Sequence, residues 1–311
     1  MSRNLRLIPP HSPGVAKMKS IDRRTFFKAS AVALAGAAVS QGTAARATLE
    51  SGPGRWQKAF MLGNVTKGPV LPALQLLKEA GFAGVELISP SQLDLQEVLA
   101  ARDKTGLVIH GVSGSKHWQE PLSDPDPQVV ERGMAAIRQE FLDCKAYGGT
   151  TVLVVPAVVN KKVSYRDAYA RSQENIRKLI PFAEQSGVKI AIEEVWNKFL
   201  LSPVEFARYI DEFGSPTVGA YFDVGNVVEY GYPEEWIHEL GKRILKIHIK
   251  EYAKPKRFDY KLGEGEIDWA AVHQALIDVG YEGWITAEVD YRDLAAMKDV
   301  VRRMNQVLQL N

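Results

Sequence analysis

Glu194, Asp223, His248 and Glu288 close four apolar segments in the second half of this 311-residue chain: KIAIEEV, VGAYFDVGN, ILKIHIKEY and GWITAEVD. Three carboxylates and one imidazole form a hard, oxygen-rich donor set. It suits one divalent cation, Mn²⁺ first, with Mg²⁺, Co²⁺ or Zn²⁺ as alternatives. A single acid where a buried strand meets solvent is ordinary, but four in succession point to a shared ion.

For these side chains to meet, the segments that carry them must be neighbouring strands of one sheet. Short apolar runs alternate with amphipathic stretches of helical period, the pattern of parallel strands buried beneath helices. Eight strands are predicted, at 59–64, 84–88, 107–112, 151–155, 189–194, 219–223, 245–250 and 284–288. Eight helices lie between and after them, at 71–80, 93–105, 127–147, 165–186, 203–213, 233–240, 269–279 and 294–308. Several open on a capping residue or an early proline, as at Ser202-Pro203 and Asp268-Trp269, and others close on glycine, as at Gly81, Gly187 and Gly280. The expected fold is therefore α/β, a single (β/α)₈ barrel, whose active site forms at the carboxyl ends of the strands. Alternation puts Ile190, Ile192 and Glu194 on one face, and likewise Tyr221 with Asp223, Lys246 with His248, and Thr286 with Glu288.

The N-terminus reads as an address. Asp22-Arg23-Arg24-Thr25-Phe26-Phe27-Lys28, an Ala-rich run and Ala45-Arg46-Ala47 compose a twin-arginine export signal over residues 1–47, with an A-x-A cleavage site. Met18 is an alternative start, which would make residues 1–17 an upstream artefact. Residues 48–57 are expected as a linker and 58–311 as the barrel. The apolar run is short for a membrane span, so no stable insertion is expected after cleavage, and the body is expected in the periplasm or another extracytoplasmic space by way of the twin-arginine machinery. Of 39 basic and 37 acidic side chains, eight and one fall in residues 1–47, leaving 31 against 36 and a body charge of −5. An acidic body argues against nucleic acid as a partner. Cys144, the single cysteine, follows a helical apolar pattern and is expected in the core.

The chain resembles the xylose isomerase-like barrel superfamily, in particular its sugar (phosphate) isomerases and epimerases. The resemblance rests on Glu194-Val195-Trp196-Asn197 after strand five, Phe222-Asp223 on strand six, Ile247-His248-Ile249-Lys250 on strand seven, Ala287-Glu288 on strand eight, and the Gly263-Glu264-Gly265 loop. In its Glu-x-x-Asn pattern, Asn197 selects Glu194 over Glu193. The resemblance implies that Glu194 and Glu288 both bind metal and move a proton beside a sugar carbonyl, from opposite sides of the substrate, through a metal-stabilised enediolate. One departure is Asn226, where epimerases of this group usually carry histidine; an amide cannot accept a proton as imidazole can.

Further candidates for substrate contact are His110, His117, Trp118, Glu86, Asn197, Asn226 and Lys250, with pairing to Lys250 as an alternative for Glu86. His238 and His273 fall on helices and read as surface residues. The expected substrate is a small carbohydrate, neutral or oxidised rather than phosphorylated if the protein acts after export. A homo-oligomer is compatible with the sequence. Two other functions share the scaffold: a lyase or dehydratase acting on a keto-sugar through the same metal site, and an exported barrel that binds sugar without turnover.

Overall fold

The computed structural model describes residues 55–63, 65, 67–290 and 293–310. The expected signal, 1–47, and most of the expected linker lie outside the described residues. Eight parallel strands close into a barrel in chain order: β1 (Trp56–Leu62), β2 (Gly84–Ser89), β3 (Val108–Gly114), β4 (Thr151–Val154), β5 (Lys189–Glu193), β6 (Val218–Asp223), β7 (Ile244–Ile249) and β8 (Gly283–Ala287). β8 returns to β1 with Trp56 opposite Gly283 and Ala59 opposite Thr286. β1 thus starts inside the segment expected as linker.

Eight α-helices cover the described barrel: α1 (Leu71–Ala80), α2 (Leu95–Thr105), α3 (Pro127–Tyr147), α4 (Tyr165–Ser186), α5 (Pro203–Asp211), α6 (Pro233–Leu240), α7 (Trp269–Asp278) and α8 (Leu294–Val307). Their starts follow from local chemistry, because Asp94, Asp126, Ser164, Ser202, Asp268 and Asp293 each accept a hydrogen bond from a backbone N–H of the first turn. Among the described residues, no helix is long and apolar enough to cross a membrane.

Two apolar layers hold the barrel. The larger packs strand residues such as Phe60, Leu87, Ile190, Ile192, Phe222 and Ile285 against the helices, and Cys144 is buried in it. The smaller lies within the barrel and contains Leu153, Val155, Ala191 and Tyr221. Register shows which residues share the inner face. Glu193 stands opposite Tyr221, Asp223 opposite His248, and His248 opposite Thr286. A register shift between Ala220 and Tyr221 brings Tyr221 opposite Lys246, so the bulge aims the alternate residues of β7 inward beside those of β6.

On β5 the inward residues are Ala191 and Glu193, and the expected parity is reversed: Ile190 and Ile192 face the helices. Both faces of this strand are apolar, so alternation alone cannot choose between them.

The loop after β7 is anchored by Glu251, which is fully buried. Its carboxylate accepts from Gly263 N (2.6 Å), Tyr252 N (3.1 Å) and Trp269 Nε1 (2.9 Å). A Cβ on Gly265 would stand 2.3 Å from Glu251 Oε1, which accounts for the second glycine of the Gly-x-Gly loop. This anchoring sets the loop bearing Phe258 over the barrel mouth.

Candidate functional site

Glu193, Asp223, His248 and Glu288 offer ligand atoms that all lie within 4.8 Å of one another. His248 Nδ1 is the hub, 3.0 Å from Glu193 Oε1, 3.6 Å from Glu288 Oε2 and 4.0 Å from Asp223 Oδ2. The donors therefore converge closely enough to share one ion. The fourth member is Glu193 and not Glu194, a correction that follows from the reversed parity of β5.

Glu194 sits behind the cluster. Its Oε1 accepts from Asp223 N (3.0 Å), its backbone carbonyl accepts from Asn226 Nδ2 (2.9 Å), and it ties the end of β5 to β6. Its Oε2 is buried without a hydrogen bond, and burial, then Glu193 and Asp223, hold its carboxyl well above the usual carboxylate range.

The orientation of Asp223 fits a cation. Oδ1 is committed to Gly225 N (2.8 Å) and Asn226 N (2.9 Å), whereas Oδ2 is buried and accepts no well-aligned hydrogen bond. Lys250 Nζ lies 2.9 Å from that Oδ2 as an ion pair whose angles fall outside hydrogen-bond geometry, and 2.6 Å from Glu288 Oε2. A Cβ on Gly225 would stand 2.5 Å from Lys250 Cγ, so the glycine permits the close approach that seats this lysine.

Charges in the cluster answer one another. Burial raises the Glu193 carboxyl to about 7 although His248 pulls it down, and burial likewise raises Asp223 against the pull of Lys250. Burial would raise Glu288 too, but Lys250 and His248 outweigh it and leave the group below its ordinary value. His248 is held well above its ordinary value because Glu86 and Glu193 outweigh burial.

Beneath the cluster lies a buried polar layer. Glu86, fully buried, meets His248 Nε2 at 3.2 Å and accepts from the Tyr221 hydroxyl at 2.6 Å. It does not pair with Lys250 and is not among the residues lining the described cavities; its carboxylate faces His248 instead. A ligating histidine is commonly oriented in this way, by a carboxylate on its second nitrogen. His110 also belongs to this layer, with Nε2 3.2 Å from Thr286 Oγ1 and its ring stacked on Trp284 at 4.9 Å. It is buried and is not among the residues lining the cavity above the cluster. Asn197 is spent on the loop after β5: Nδ2 donates to Ala157 O (2.7 Å) and Oδ1 accepts from Phe199 N (3.0 Å).

Above the cluster opens a cavity of about 480 Å³ lined by His117, Trp118, Glu193, Trp196, Asn226, His248, Lys250, Phe258 and Glu288, among others. His117 Nδ1 lies 3.0 Å from Gly114 O, and burial lowers the imidazole to about 4, so it is neutral at pH 7. Trp118 is half exposed at the rim, and Trp196 and Phe258 meet with centroids 5.0 Å apart. Met61 and Phe258 were not singled out in the sequence; both belong to stretches with no donor spacing to mark them. A second cavity of about 1130 Å³ adjoins the first and shares Met61, Gly63, Lys250, Phe258 and Glu288 with it.

The model of the xylose isomerase-like TIM barrel matches residues 74–308, and the chain belongs to that family. It is similar to the D-psicose 3-epimerase of Enterocloster bolteae, 25% identical over 214 residues that cover 66% of this chain and 69% of the other. It is also similar to the L-ribulose-5-phosphate 3-epimerase of Escherichia coli O1:K1, 24% identical over 269 residues, covering 80% and 93%. Among solved structures, an L-ribulose 3-epimerase superposes with a TM-score of 0.70 at 20% identity, covering 81% of this chain and 94% of that one. The apo 3-keto-D-glucoside 4-epimerase of E. coli does so with 0.68 at 20%, covering 81% and 99%. These last two likenesses speak to the fold.

If Glu193 is the fourth donor, Glu193→Gln should weaken Mn²⁺ binding by at least about tenfold in titration calorimetry. Glu194→Gln, which keeps an amide oxygen for Asp223 N, should change it by less than about threefold; the reverse order would reinstate Glu194. Removing the carboxylate behind the histidine, by Glu86→Gln, should weaken the same binding about 10- to 100-fold. Unchanged affinity would deny Glu86 its positioning role.

Proposed function

We propose that this member of the xylose isomerase-like barrels is a divalent-metal-dependent isomerase or epimerase of a non-phosphorylated sugar or sugar derivative. The observation that carries the reading is the convergence of Glu193, at the end of β5, and Glu288, just beyond the non-adjacent β8, on one buried imidazole at the floor of a sugar-sized cavity. The donor set and the hydrogen-bond-free Asp223 Oδ2 fit a hard divalent cation, for which Glu193, Asp223, His248 and Glu288 are the candidate ligands. Such an ion would supply Lewis-acid stabilisation for negative charge developing on a carbonyl oxygen.

The chain's own groups account for the proton. Glu288, paired with Lys250, and Glu193, beside His248, reach the cavity from separate walls, so one can take a carbon-bound proton while the other returns one. Return to the opposite face of the same carbon inverts it, and return to the neighbouring carbon moves the carbonyl. Asn226 lines the cavity, but its amide is committed to Glu194 O, which leaves proton transfer to the two carboxylates. Trp118, Trp196 and Phe258 offer aromatic faces to the C–H faces of a sugar ring.

The epimerases to which the chain is similar support a sugar substrate. A phosphate is disfavoured. Barrels of this kind commonly hold phosphate with the loops after strands seven and eight and a nearby helix N-terminus. Among the described residues those loops contribute Asp259, Lys261, Asp290 and Asp293 to the cavity wall; Lys261 is paired with Asp299 (3.1 Å), and Asp293 already caps the first turn of α8 by accepting from Ala296 N (2.9 Å).

In D₂O with Mn²⁺ bound, the protein should exchange solvent deuterium into a keto-sugar, as followed by NMR or mass. Chelation should abolish the exchange, and Glu193→Gln or Glu288→Gln should each lower it by about 10²- to 10⁴-fold. Lack of exchange over a broad panel of metal-loaded assays would refute the reading.

The twin-arginine pattern at Arg23-Arg24 supports action after export. Replacing both arginines with lysine should retain the protein in the cytoplasm on cell fractionation. Unaltered export would remove this part of the proposal.

A further inference from the structure

The inner cavity, about 480 Å³, falls within the roughly 300–1,000 Å³ of ordinary small-ligand sites and accommodates a sugar ring by itself. Yet its wall does not close. Through Met61, Gly63, Lys250, Phe258 and Glu288 it runs into the outer cavity, about 1130 Å³ and more than twice as large. A free monosaccharide seated on the acid cluster would leave that outer volume unused.

The outer lining has a definite chemistry. Asp259, Asp290 and the Tyr260 hydroxyl offer hydrogen-bonding groups, while Phe258 and Leu262 offer apolar surface. Its outer cations are already engaged: Lys261 with Asp299 at 3.1 Å, and Arg303 with Asp299 at 2.9 Å and Glu264 at 2.5 Å. Among the described lining residues, none of the outer cations is left to neutralise a phosphate or a carboxylate. A mixture of acceptors, a hydroxyl and an apolar strip suits a neutral polyhydroxylated group.

Resting on the isomerase reading above, we infer that the substrate is a glycoside of a keto-sugar. The carbonyl-bearing ring occupies the inner cavity over Glu193 and Glu288, and a second, uncharged sugar lies in the outer one. The linkage restricts the chemistry. A glycosidic bond holds the anomeric carbon of the reacting ring as an acetal, so the carbonyl that acidifies a neighbouring C–H lies elsewhere, and a ring ketone supplies it. The step at this site then needs no oxidant: a C–H bond breaks, its proton passes to a carboxylate, and a proton returns to carbon. The ketone must be supplied beforehand by dehydrogenation of a ring hydroxyl of an ordinary glycoside.

Methyl 3-keto-D-glucoside and the 3-keto form of a glucose disaccharide are suitable probes, because a ketone at that carbon is flanked by carbons bearing both hydrogen and oxygen. With the Mn²⁺-loaded protein in D₂O, kcat/KM for exchange into the disaccharide should exceed that for the methyl glycoside by at least about tenfold. Ala295→Trp, at an exposed position in the first turn of α8 on the outer wall, fills that cavity and should bring the ratio close to one. Equal or faster exchange into the methyl glycoside, or an advantage that survives Ala295→Trp, overturns the inference and leaves the isomerase reading standing. Exchange into free ketoses but neither glycoside does the same. No exchange into any of these sugars overturns both.

Discussion

Mutual repulsion among Glu193, Asp223 and Glu288 is the constraint around which the barrel mouth is organised. Three carboxylates whose donor atoms fit within 4.8 Å, in a setting that excludes most water, cannot all remain ionised without a nearby positive charge. The chain supplies two such charges of its own. His248 sits between Glu86 below and the acids above, and Lys250 reaches across from the end of β7 to Asp223 and Glu288. The residual imbalance shows in the direction of the shifts: Glu193 and Asp223 are pushed toward their neutral forms, while Glu288, closest to the lysine, is pushed toward its ionised form. A divalent cation held by Glu193, Asp223, His248 and Glu288 would relieve the same repulsion with a greater charge.

This electrostatic demand explains why so much of the barrel interior is polar. Beneath the cluster, Glu86, Tyr221, Thr286, His110 and Lys246 form a connected layer where a barrel core is more often filled by branched apolar side chains. Each buried polar group is costly unless it is paired. Its use here is to fix the imidazole: with Nε2 facing Glu86, Nδ1 is left facing the acids, so the donor atoms are arranged before any ion arrives. Lys246, lowered to about 8 by burial despite the pull of Glu86, carries the counter-charge of this lower layer.

Much of this architecture was legible in the sequence because it rests on local signals. Strand and helix order followed from apolar period, and helix starts from Asp and Ser caps; α1, α3, α4 and α6 have the bounds that capping and period predict. Three of the four clustered donors, Asp223, His248 and Glu288, follow from alternation on strands whose inner faces turn polar near the mouth. Glu193 did not, because β5 is apolar on both faces until it reaches two consecutive glutamates, and the Glu-x-x-Asn pattern pointed to the wrong one. Asn197 serves the backbone of its own loop, so its spacing from Glu194 reports loop geometry. Glu86 and His110 illustrate a second limit: alternation tells which way a side chain points, but not how far below the mouth it lies. Both point inward, and neither is among the residues lining the cavity above the cluster.

The cavity walls come in part from segments for which periodicity offers no guide. Phe258 reaches the inner cavity because the loop after β7 folds around the buried Glu251 carboxylate, and that folding needs the bare backbone of Gly263 and Gly265. The same loop supplies Asp259 and Tyr260 to the outer cavity, so a single buried side chain positions both the aromatic wall of the inner chamber and part of the polar wall of the outer one. The division of labour is physical. Inward residues of β5 to β7, with Glu288 just beyond β8, create the charge arrangement to which the proposed reaction assigns the proton, and the loops beyond them shape the cavities above it. Changes in the loop after β7 therefore act on the shape of the cavities while the donor cluster, held from below by Glu86, keeps its arrangement.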